Sequence, residues 1–152
     1  KNEIENKLKI KFRKKNILVT FNPETTENKN NNKNFLKNLL IALAKFKKST
    51  IIFTMPNADN YFKMIVSDLK KFISRNKNAY LFKFLGDKYY FSVCNHVDLM
   101  VGNSSSGIIE MPSFKKPTVN LGLRQEGRIK AKSVINGIFN SKDIEKKINY
   151  FY

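Results

Sequence analysis

The chain has 152 residues, of which 41% are hydrophobic, enough for one domain with its own core. No apolar run approaches a membrane span, and the basic N-terminus KNEIENKLKIKFRKKN has no apolar signal core, so neither a transmembrane helix nor a secretory leader is expected. The net charge of +17 favours anionic ligands, but the lysines are scattered through KFRKK, KNNNKN, KFKK and IEKK, which argues against a dedicated nucleic-acid binder.

Residues 1–15 read as a linker or a first helix. NILVTF, Asn16–Phe21, predicts a buried strand, followed by a polar loop through Thr25, Thr26 and the asparagine run. NFLKNLLIALAKF carries Phe35, Leu36, Leu39, Leu40, Leu43 and Phe46 at helical spacing. STIIFTMP is a second strand ended by Pro56, and NADNYFKMIVSDLKKFISRN a second amphipathic helix with Phe62, Ile65, Val66, Leu69 and Ile73 on one side. NAYLFKFL, VDLMVGN and KPTVNLG predict strands three to five. Short helices are expected at DKYYFSVCNH and SSGIIEMPSF, and a closing helix at Ser141–Tyr152.

Strands alternating with helices predict an α/β parallel sheet, here one domain over residues 16–152. Such sheets bind ligands beyond the carboxyl ends of their strands. That rule gathers the loops Asn22–Glu27, Gly86–Tyr90, Gly102–Gly107 and Gly122–Arg128. The single Cys94 cannot build a disulfide framework, so a reducing, cytoplasmic setting is the default. The chain opens on Lys1 rather than Met, as a fragment or processed product would.

The densest motif is VGNSSSGIIEMPSFKKP, Val101–Pro117. A nucleophile elbow would need glycine on both sides of a serine and a base to serve it, and the only histidine, His96, has no partner spacing. Walker and GxGxxG patterns are absent. A strand, a small-residue turn and a helix start remain, which together suit a phosphate at Ser104, Ser105 and Ser106. Glu110, one helical turn on, can accept hydrogen bonds from a ribose hydroxyl pair. An ordinary serine cap with a solvated glutamate is the plain alternative. Arg124 and Arg128, in GLRQEGRIKAKS, suit a diphosphate, or else form a solvated basic loop. No His/Cys/Asp cluster has metal-ligand spacing, so no metal or cofactor is expected.

Together, VGNSSSGIIEMPSFKKPTVNLGLRQEGRIKAKSVIN resembles the hydrolysing UDP-N-acetylglucosamine 2-epimerases of the sialic and legionaminic acid branch. VTFNPETTE, IIFTMPNAD and FLGDKYYFSVCNHVDLMVGNSS extend the likeness in the same order. The resemblance implies a Rossmann-like domain, the C-terminal half of a GT-B fold, whose partners are a UDP-sugar and the enzyme's own N-terminal half. It implies a homodimer when full-length, with no specific nucleic acid and no membrane as partner. It assigns Ser104, Ser105 and Ser106 to phosphate, Glu110 to ribose, Tyr90 to uracil through its backbone, and Arg124 and Arg128 to the diphosphate and sugar. The family usually carries histidine where this chain has Asn22, and asparagine can donate a hydrogen bond but cannot carry a proton. The carboxylates for proton abstraction belong to the other half, so this piece is expected to be inactive alone. A GT-B glycosyltransferase half, or a basic nucleic-acid-binding domain, is the competing reading.

Overall fold

In the computed structural model, which describes residues 1–58 and 60–152, the chain forms six strands, the central ones buried on both faces. They are β1 (Lys15–Thr20), β2 (Ser49–Thr54), β3 (Ala79–Phe82), β4 (Leu99–Gly102), β5 (Thr118–Leu121) and β6 (Val134–Gly137). All pair in parallel, in the order β3-β2-β1-β4-β5-β6. Parallel sheets are covered on both sides, which is why ILV, IIF and LMV are unbroken apolar runs rather than alternating ones.

Alternation still divides the core. Ile17, Val19 and Phe21 face one side of β1 and Leu18 the other. The first side meets α2 (Lys29–Leu43), α3 (Phe62–Arg75) and α6 (Ser141–Tyr150) through Leu36, Leu39, Leu43, Ile65, Leu69, Ile144 and Ile148. The second meets α1 (Asn2–Leu8) and α4 (Gly86–His96) through Ile4, Val93 and Cys94, with Met111 from the 3-10 turn Met111–Phe114. Ile10 and Phe12 complete that layer, and the Glu5 carboxylate accepts from the Phe12 N–H at 2.7 Å, so residues 1–15 pack onto the domain.

Three expectations are corrected. The asparagine run is helical, because Asn28 caps α2 by accepting from the Asn31 N–H at 2.8 Å. The second amphipathic helix starts only at Phe62, after Tyr61 at φ 71°, and its buried line is Ile65, Leu69 and Phe72. Asp59, within that expected helix, lies outside the described residues. A sixth strand, β6, joins the sheet edge, where its partial burial left no apolar run to read.

The chain winds from β1 to β3 in one direction and from β4 to β6 in the other. The reversal falls between β1 and β4, and an open α/β sheet forms its ligand crevice at such a point.

Candidate functional site

The carboxyl ends of β1 and β4 approach unusually closely. Gly102 has φ +144°, and a Cβ there would lie 1.9 Å from the Thr20 carbonyl oxygen, so only glycine fits. Immediately after it, the Asn103 N–H donates to Thr20 O at 3.1 Å. The fully buried Asn103 side chain then crosses to the loop after β1. It accepts from the Asn22 N–H and donates to the Asn22 carbonyl, both at 2.7 Å, and also donates to Glu24 Oε1 at 3.3 Å. Asn32, from α2, treats Glu24 likewise: it accepts from the Glu24 N–H at 2.7 Å and donates to the Glu24 carbonyl at 3.1 Å. Two buried amides thus bond the loop as a neighbouring strand would.

This clamp positions Asn22. Its Oδ1 accepts from the Asn57 N–H at 2.8 Å, so the amide cannot turn over, and Nδ2 has no partner among the described residues. Asn22 lines a hollow of about 400 Å³ with Ser104, Ser105, Arg124, Gln125 and Arg128. The main-chain N–H groups of Ser104 and Ser105 also donate to nothing among the described residues. Gly107 and Ile108 donate back to Ser104 O and Ser105 O at 3.1 and 3.0 Å, closing the turn that leaves those two N–H groups outward. The helix that follows, α5 (Ser106–Ile109), is a single turn, so its dipole adds little and the two N–H groups dominate.

The serine triplet therefore divides. Ser106 is 9% exposed and shares a short hydrogen bond with the Tyr90 hydroxyl, away from the hollow. Beside that pair, Glu110 Oε2 is buried without a partner among the described residues. Burial drives the Tyr90 phenol well above its usual range, and the Glu110 charge adds to the rise. Burial also pushes the Cys94 thiol up to about 11, again with a contribution from Glu110. Tyr90 lies within α4, where its main-chain N–H belongs to the helix ladder. It borders a separate recess of about 200 Å³ with Met55, Phe84, Leu85 and Gly86.

Arg124 Nη1 donates to the Pro23 carbonyl at 2.9 Å, joining the loop after β5 to the loop after β1. That loop begins at Gly122, φ +70°, where a Cβ would lie 2.5 Å from Glu24 Oε1. Of the expected residues, Asn22, Ser104, Ser105, Arg124 and Arg128 meet at one hollow, and Tyr90, Ser106 and Glu110 form a neighbouring cluster. Sequence reasoning missed Glu24, Asn32, Asn103 and Gln125, although Asn103 sits inside the motif, directly after Gly102. His96 is remote from both clusters in role: it stacks on Phe12 at 5.3 Å, with Nδ1 2.7 Å from Ser92 O.

A doubly wound parallel sheet, with donors unpaired among the described residues at its switch point, defines a Rossmann-like α/β domain. A family model for UDP-N-acetylglucosamine 2-epimerase matches residues 1–152, and the chain belongs to that family. It is 38% identical over 144 residues to the GDP/UDP-N,N'-diacetylbacillosamine 2-epimerase (hydrolyzing) of Campylobacter jejuni, covering 94% of this chain but 37% of that relative. The fold matches UDP-GlcNAc 2-epimerase from Methanocaldococcus jannaschii with a TM-score of 0.73 at 16% identity, over 98% of this chain and 42% of that one. It also matches the Neisseria meningitidis enzyme bound to UDP-GlcNAc, with a TM-score of 0.72 at 15% identity, over 97% and 39%. The chain thus spans little more than a third of the curated relative's length.

Proposed function

We propose that this chain is the UDP-sugar-binding half of a hydrolysing UDP-sugar 2-epimerase with a GT-B architecture. The observation that carries the reading is the pair of Ser104 and Ser105 N–H groups, unpartnered among the described residues and set with Asn22, Arg124 and Arg128 around one hollow. A diphosphate meets the donors, ribose hydroxyls donate to Glu110, and the uracil occupies the recess between Met55, Leu85 and Tyr90.

In the full-length protein the substrate is UDP-GlcNAc or a related UDP-2-acetamido sugar. A carboxylate from the other half takes the C2 proton, the C1–O bond to UDP breaks, and a C1=C2 glycal forms. Water then supplies hydroxyl to C1 and a proton to C2 on the opposite face, releasing the free 2-epimer. This half stabilises the charge gathering on the departing diphosphate, through fixed N–H donors and guanidinium groups. Asn22 contributes an oriented, uncharged donor and no proton. The complete enzyme works in the cytoplasm as a homodimer, and its two halves together form the reaction site.

Calorimetry of this chain with UDP tests the binding half of the proposal. UDP is expected to bind, and Glu110→Ala to weaken it about tenfold or more, the loss of a hydrogen bond to a charged acceptor. Unchanged affinity in Glu110→Ala would remove the ribose role. For the intact protein, release of a free 2-acetamido sugar supports epimerisation, whereas transfer of the sugar to an acceptor would make it a glycosyltransferase.

A further inference from the structure

The hollow over β1 and β4 is lined largely by donors: the Ser104 and Ser105 N–H groups, Asn22 Nδ2 and two arginines. Gln125 is different. It lines the same hollow, is 4% exposed, and donates from Nε2 to the Asn103 carbonyl at 3.0 Å. A carbonyl must be met by the NH2 group, so the amide cannot be reversed and Oε1 is fixed as an acceptor. That oxygen is buried and has no partner among the described residues. A buried acceptor left unmet is costly, so the missing donor is one a ligand brings.

The sheet order says which part of the ligand brings it. The Met55–Leu85 recess lies past β2 and β3, the two serines follow β4, and Gln125 is on the loop leaving β5. From β3 to β5 the site therefore runs from nucleoside, through diphosphate, to whatever the diphosphate carries. On the UDP-sugar reading above, we infer that Gln125 is a specificity-determining residue: its Oε1 accepts from a hydroxyl or amide N–H of the sugar. An ionised terminal phosphate has no such donor, so Gln125 separates the UDP-sugar from UDP.

The test is the ratio of UDP-GlcNAc to UDP affinity, measured by calorimetry at pH 8, where the terminal phosphate of UDP is ionised. Gln125→Met is expected to lower UDP-GlcNAc affinity about tenfold and to lower the ratio with it. Gln125→Leu, which removes the acceptor with a side chain of similar bulk, is expected to lower the ratio as Gln125→Met does. An equal loss for both ligands in Gln125→Met, or no loss for either, overturns the assignment while leaving the UDP-sugar reading in place. A ratio retained in Gln125→Leu overturns it as well. If neither ligand binds the wild type, the UDP reading falls and this assignment falls with it.

Discussion

The loops after β1 and β5 face one hollow and are held in opposite ways. The first is gripped from inside: Asn103 and Asn32, both fully buried, pair with the main chain of Asn22 and Glu24. The second lies largely on the surface, with Leu123 70% and Ile129 98% exposed and the Arg128 side chain unbonded among the described residues. Among its ties to the described residues are Arg124 to Pro23 O and Gln125 to Asn103 O. Donors on the first loop are in position before a ligand arrives, whereas the exposed Arg128 guanidinium on the second must lose conformational freedom to bind. The site thus combines a preorganised wall with an adaptable one.

The largest break in this contrast is Asn103→Ala. It removes three hydrogen bonds and leaves the buried N–H and carbonyl of Asn22 unmet. The expected cost is about 2–4 kcal/mol, read as a lower urea midpoint with unchanged slope. A loss under about 0.5 kcal/mol would mean that the β1 loop is not clamped by this amide. UDP affinity should fall as well, because the Asn22 donor loses its position.

That clamp was not legible in the sequence, and the reason is physical. Asn103 and Asn22 are 81 residues apart, and their pairing exists only because β1 and β4 are neighbours in the sheet. The strands themselves were legible, since burial on both faces demands unbroken apolar runs such as Ile17–Val19 and Leu99–Val101. β6 was not, because an edge strand needs no such run and Val134 and Ile135 are only half-buried. The serine turn could be placed from its residues, but its division could not. Tyr90, from another helix, draws Ser106 away from Ser104 and Ser105. The asparagine run looked like a loop by composition, yet Asn28 begins a helix and Asn32 anchors the site from within it. Side-chain amides acting on distant backbone leave no periodic trace.

A finer probe of the rigid wall is Asn22→Asp. One carboxylate oxygen can still accept from the Asn57 N–H, as Asn22 Oδ1 does at 2.8 Å. The other replaces the NH2 group and presents negative charge to the hollow. Stability should change little, while UDP-GlcNAc affinity measured by calorimetry should drop about tenfold. Undiminished affinity would reduce Asn22 to a structural link with Asn57.

The smallest effect belongs to the adaptable wall. Arg128→Ala removes an exposed side chain with no protein partner among the described residues, so thermal stability should stay within about 0.5 kcal/mol. Its contribution to binding is electrostatic and solvent-screened, so UDP-GlcNAc affinity should fall only about threefold at low salt. The difference between wild type and variant should then shrink as ionic strength rises and the Debye length falls below about 10 Å. Asn22→Asp supplies the control, because a short-range donor replaced in a buried position should keep most of its effect in salt. If Arg128→Ala instead weakened binding more than Asn22→Asp did, and salt left that loss unchanged, the guanidinium would be held as firmly as the clamped loop, and the contrast between the two walls would not survive.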